Sequence, residues 1–487
     1  MEKDTEKTEN ESSPVTWSKD EETAAMRKID YRIVPWLMLC YTALNIDRGN
    51  ISNAAIMNAE TPTHTLSSQL GLVNNQFNWA LSAFFFGYVA FEIPSNLMIT
   101  RFNPSRWIAR IMTTWGICAA LMGATTNFAG LVAVRVAIGS MEAGYSPGTA
   151  FYLTFWYKKY EVSSRWAYMY GGAGVISSFG GLIAYAVANM DGVGGLAGWR
   201  WLFILEGLAS ALVGVGTWFI LPDYPQTAKF LTEREKEIII GRLPPTGPSM
   251  LAKKMEMSEV LDAFRDWRMY AFGIGCTMQF TTAYAIAYFL PTVIKLMGFS
   301  STTAQLLTVA PSLVGSFWIF FINWSSDRFQ EKGYHGAACL IPPIIGYFLL
   351  ANIQTQLSPY QRYGLLFLTS VCNGVVPILI GFSTITTKGA SRTALRSAFT
   401  IACGNIGGAV GSQVYQPDDA PLYVRGHYIN GSLLIAVLVL LLFLKFSIER
   451  EGEFVGAKAN ITVIERGGIV LDNEKLIEAD RVIHSSS

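Results

Sequence analysis

With 487 residues, 51% of them hydrophobic, 15% charged and a net charge of +1, the chain falls well short of the roughly 25% charged residues usual in soluble domains. A mean hydropathy of +0.31 points to a membrane protein, and the balanced charge gives no reason to expect a nucleic acid partner. The six scattered cysteines have no CxxC or metal-like spacing and read as free buried thiols.

Residues 1–28 are acidic and polar and lack the short apolar core of a secretory signal; they read as a disordered cytosolic tail. Twelve long apolar runs follow, at 33–56, 77–99, 107–126, 129–153, 166–189, 199–221, 269–293, 303–323, 337–353, 361–385, 394–414 and 428–447. Each approaches the 20 or so residues needed to cross a bilayer. Without water to satisfy the backbone such runs must be helices, and their continuity does not suit the alternation of a β-barrel. The expected fold is an all-α membrane protein of twelve transmembrane helices in two six-helix bundles, 29–221 and 268–448.

Between the bundles lies a polar linker, 222–267. In it Thr232 and Glu235 have capping-box spacing for a short surface helix, and "SEVLDAFRDWRMY" is amphipathic. The stretch 449–487 reads as a second cytosolic tail. Basic residues fall on alternate loops: Arg101 and Arg106, then Lys158, Lys159 and Arg165, then Arg328 and Lys332, then Lys388 and Arg392, while the loop 57–76 has none. This bias places both termini in the cytosol. Six spans on each side of a long loop, with "TRF" at 100–102 echoed by "DRF" at 327–329, read as two pseudo-repeated halves.

Charges inside the apolar runs are uneven. The first half holds Asp47, Arg48, Glu92, Arg135, Glu142 and Glu206 in or near its spans; the second offers Gln279, Asn373, Asn405 and hydroxyls. A charge at mid-bilayer costs about 2.5–3.5 kcal/mol on insertion scales, so these residues are paired, hydrated or functional. Arg135 and Glu142 are seven apart and share a helical face, which brings two cations and two carboxylates together across the first and fourth spans. One reading is a structural salt-bridge cluster. The other has Arg48 receive an anionic substrate group, its planar fork suiting a carboxylate, while Asp47 or Glu142 exchanges a proton. Glu92 and Glu206 read as structural. Small residues at four-residue spacing in 170–185 and 403–411 predict close helix packing. Tyr88, Tyr284, Tyr288 and Trp318 are candidate cavity aromatics. No GxSxG, Walker, HExxH or two-cysteine redox motif marks an enzyme, and no cofactor is called for.

The stretches "NIDRGNISNA", "GYVAFEIPSNL", "RVAIGSMEAGYSPG", "GWRWLFILEG", "YFLPTVIKLMGFSSTTAQLLTVAP" and "QPDDAPLYVRGH" together resemble the anion:cation symporter family of the major facilitator superfamily, and more narrowly its fungal allantoate-permease group. The resemblance runs from about residue 29 to 448. It implies alternating access, proton symport at the plasma membrane, and cargo such as allantoate or a carboxylate vitamin. It also implies roles: Asp47-Arg48 and Arg135/Glu142 match positions where the arginine contacts substrate carboxylate and the acids take protons. The loop "ITRFNPSRW" lacks the Asp that the superfamily carries there, whereas Asp327 is present in the second-half counterpart.

The expected function is therefore import of a small organic monocarboxylate by proton symport through a monomer in the lipid bilayer. Arg48, Tyr88, Arg135, Tyr284 and Asn405 are the candidate substrate contacts, and Asp47 and Glu142 the proton-coupling groups. Facilitated uniport, anion exchange and a transporter-like nutrient sensor are the alternatives.

Overall fold

In the computed structural model, residues 17–99, 102–243, 262–329, 331–387 and 390–450 are described, and none of them is in a strand. The first half contains Lys19–Ile56, Gln76–Ile99, Pro104–Leu121, a fourth span broken into Phe128–Glu142 and Tyr145–Leu153, a fifth made of Lys159–Ser177 and Gly180–Ala188, and Gly198–Ile220. The second contains Trp267–Leu296, an eighth span made of Ser301–Leu307 and Val309–Arg328, Gly333–Ile353, a tenth made of Pro359–Ser370 and Val375–Ile385, Ala390–Gly411 and Val424–Arg450. Gly144 breaks the fourth span by adopting the left-handed region at φ 87°, where a residue without Cβ meets no steric penalty.

Seven of these spans are long and apolar enough to cross a membrane by composition alone. The first, second, fourth, seventh and eleventh are broken or interrupted by polar residues, and these five meet at the centre of the molecule.

The first helix begins at Lys19, inside the stretch expected to be tail. Ser18 and Glu21 form a reciprocal capping box there, and the linker helix Glu233–Arg242, itself capped by Thr232 and Glu235, packs on this extension. Lys28 pairs with Glu235 at 2.5 Å and Arg242 with Glu22 at 2.7 Å, while Arg242 also grips Glu161. These ties add to apolar packing, since Ala25 and Met26 of the extension are buried in a core cluster that includes Ile239 of the linker helix. The rest of the N-terminal stretch, residues 258–261 at the start of the "SEVLDAFRDWRMY" segment and residues 451–487 lie outside the described residues; the remainder of that segment is helical at 262–265 and runs into Trp267–Leu296.

We call the face bearing Lys19, the linker helix and Arg450 the terminal face, and its opposite the far face. The halves are joined from the far face down to the centre. Asn78 donates to the Tyr415 carbonyl at 2.8 Å, Ser82 to the Ala409 carbonyl at 2.9 Å, Gln413 to Ser82 at 2.8 Å and Gln305 to the Asn53 carbonyl at 3.4 Å. The Ser301 N–H donates to Glu60 at 2.8 Å, and Ser178 meets Ser316 at 3.4 Å at mid-depth. The glycine-rich stretches sit at close crossings: a Cβ on Gly181 would run into the Gln305 carbonyl across the halves, and one on Gly407 into the Thr277 carbonyl within the second half.

Candidate functional site

Adjacent residues on a helix point about 100° apart, and Asp47 and Arg48 diverge accordingly. Arg48 turns to the centre. Its Nε and Nη2 both lie 2.5 Å from Glu142 Oε1, and its Nη1 donates to the Tyr284 hydroxyl of the seventh span at 3.0 Å. Glu142 is fully buried, whereas the Arg48 side chain keeps 15% of its surface accessible. The guanidinium also lies 5.2 Å from the ring centroids of both Phe84 and Tyr88, one helical turn apart on the second span and so on one face. A cation over aromatic faces gains most where water is scarce.

Arg135 enters the same group from the fourth span. It is wholly buried, 5.0 Å from the Phe84 centroid, so two guanidiniums share one ring. Its Nε donates to the Ala80 carbonyl at 3.3 Å, and neither Nη nor Glu142 Oε2 has a hydrogen-bond partner. Close crossing of the second and fourth spans makes this possible: a Cβ on Gly139 would run into the Phe84 carbonyl.

The second half supplies the neutral wall. Tyr284 stacks on Tyr288 at 5.7 Å between centroids and meets Phe85 edge-on at 4.9 Å. The buried Asn405 of the eleventh span faces the Glu92 carboxyl of the second, which also feels Arg48. Glu92, read from sequence as structural, thus borders the central group. Tyr41 and Tyr170, 5.4 Å apart, close another side next to Arg48. Trp318 lies elsewhere, with its indole N–H 3.2 Å from Cys339 Sγ.

Asp47 does not join the expected cluster of four charges. It is buried toward the third and sixth spans, where its Oδ2 accepts the Trp115 indole N–H at 2.8 Å and its carboxyl is near Glu206. Sequence spacing did not reveal Trp115, Phe84, Phe85, Tyr41 or Tyr170. The run "AFFFGY" places aromatics at one-turn spacing, but which face meets Arg48 depends on helix rotation.

The arrangement gathers a partly accessible guanidinium already paired with Glu142, a second buried cation, phenol and amide groups, and aromatic walls. Comparison with known proteins agrees with a transporter architecture. The profile of the Major Facilitator Superfamily matches residues 37–412. The MFS transporter prlL of Fungal sp. (strain NRRL 50135) is 34% identical over 454 residues, covering 92% of this chain and 89% of that protein. The putative metabolite transport protein NicT of Pseudomonas putida is 31% identical, covering 80% and 87%. Among solved structures, a bacterial homolog of the human lysosomal transporter Spinster, inward-facing and unoccupied, superposes with a TM-score of 0.61 at 17% identity, covering 88% and 96%. A D-xylose-proton symporter gives 0.62 at 14%, covering 83% and 96%. Fold and site define a multi-pass membrane transporter, not an enzyme. The chain belongs to the major facilitator superfamily.

Proposed function

We propose that the protein imports a small organic monocarboxylate, a vitamin or allantoate-like anion, by proton symport with alternating access, as a member of the anion:cation symporter, allantoate-permease-like group. It works as a plasma-membrane monomer with both termini cytosolic. The observation that carries this reading is the Arg48–Glu142 pair, buried at the centre and touched by Tyr284 of the other half.

Substrate carboxylate competes with Glu142 for Arg48, where paired N–H donors match its two oxygens. Once displaced, Glu142 is a buried carboxylate without its cation, and it takes up a proton rather than remain charged. Substrate and proton therefore load together. Tyr88, Tyr284 and Asn405 contact the rest of the anion, Arg135 adds positive field, and Asp47 couples to a further proton away from the substrate. When the halves rock, the load is presented to the other side.

The test is uptake into vesicles holding the purified protein. Labelled carboxylate vitamins and ureides are screened by competition, and accumulation is followed while external pH is varied. Accumulation rising with external acidity, and abolition of that pH response in Glu142→Gln with exchange retained, is the expected result. Equilibration without concentrative uptake at any pH gradient would replace symport by uniport or exchange.

A further inference from the structure

Asp47, Glu206 and Asn50 lie together between the first, third and sixth spans, and are 3%, 6% and 1% exposed. Asp47 Oδ2 accepts from Trp115, but Asp47 Oδ1, Glu206 Oε2 and both polar atoms of the Asn50 side chain have no hydrogen-bond partner. Ser210, one turn beyond Glu206, faces Asp47, and Asn50 faces Glu206. The charged groups near this pocket are all acidic. Asp47 acts on Glu206, and Glu142 acts on Asp47 from the fourth span. Arg48 points away into its pair with Glu142, and the fourth span's Arg135 lies against Phe84.

Two buried anions with no cation between them are not tolerated at neutral pH, because each loses its hydration and they repel. The donors are asymmetric. The Trp115 N–H satisfies an ionised Asp47, whereas Glu206 faces the Asn50 amide, whose nitrogen and oxygen both lack a hydrogen-bond partner and whose oxygen accepts from a protonated carboxyl. We infer that Asp47 and Glu206 form a proton-holding carboxyl pair, with the proton on Glu206 toward Asn50, separate from the substrate-facing Arg48–Glu142 pair. The pair binds one proton and releases one; no other bond changes. A proton needs one lone pair and fits a pocket in which an indole N–H already occupies Asp47. This builds on the proton-coupled reading above, but its test uses no transported substrate, so the two fail separately.

The experiment is infrared difference spectroscopy of the full chain in phosphatidylcholine vesicles, reading the carbonyl stretch of buried protonated carboxyls at neutral pH. Wild type shows this absorption, Glu206→Gln loses it and Glu142→Gln keeps it. Trp115→Phe, which removes the donor to Asp47, gains a second such absorption. Its absence from wild type, its survival in Glu206→Gln, or its loss in Glu142→Gln would each overturn the assignment. Replacing choline chloride by sodium chloride at constant pH leaves the band in place. Its loss there would assign the pocket to sodium and overturn the proton.

Discussion

The two halves share a helical plan but not a chemistry. At the central level the first half buries Asp47, Arg135, Glu142 and Glu206 and half-buries Arg48. The second half meets them with Tyr284, Tyr288 and Asn405, all neutral. A charge buried in one bundle and paired in the other would have to be torn from its partner whenever the bundles move, a cost of several kcal/mol. Keeping opposite charges within one half lets them travel together. The contact that crosses from Arg48 to Tyr284 is a hydrogen bond to a phenol, which is cheaper to break.

This contrast can be broken most sharply at Arg48. Arg48→Lys keeps the charge but loses the fork, so substrate binding is expected to fall at least tenfold, in keeping with about 1.5–3 kcal/mol for a hydrogen bond to a charged group. Binding isotherms of the purified variant check it, and unchanged affinity would move the anion site elsewhere. Gly139→Ala forces a Cβ onto the Phe84 carbonyl. We expect a loss of about 1–3 kcal/mol of stability together with loss of uptake, whereas Gly407→Ala in the neutral half costs stability with uptake retained per folded molecule. Thermal unfolding alongside uptake separates the two. Tyr284→Phe removes the cross-half hydrogen bond from Arg48; substrate affinity falls a few-fold, with no change in pH response.

The smallest effect concerns the second half alone. Burial opposes ionisation of Glu331, but the Tyr334 N–H, the His335 side chain and Lys445 outweigh it and hold its carboxyl down at about 2. With the folded value depressed from 4.5, this contribution to stability is complete above the unfolded value and is lost as pH falls through the folded one. Glu331→Gln should therefore lower the unfolding temperature at neutral pH, and its difference from wild type should shrink as pH drops from 4.5 toward 2.

Length and apolarity were enough to read the spans and the six-plus-six division, because a membrane leaves the backbone few options. The co-location of Arg48 with Glu142 also followed from spacing, since helical period puts Arg135 and Glu142 on one face. What spacing did not supply was rotation. Asp47 and Arg48 are neighbours in sequence yet serve different pockets, and nothing local says which of the two faces the second half. The Lys19 extension escaped notice for another reason: it is mostly charged and polar, and its partners Lys158, Glu235 and Arg242 lie more than a hundred residues away.

The far-face joints have one more implication. Asn78, Ser82, Gln305 and Gln413 bind carbonyl or hydroxyl oxygens and do not titrate, so neither acid nor salt unfastens them. Among these joints the ionisable member is Glu60, and although burial disfavours its charge, the Ser301 N–H keeps its carboxyl below the ordinary range. An acidic medium bathing that side would leave the closure latched, and any response to acidity must then originate deeper, among the carboxyls of the first half.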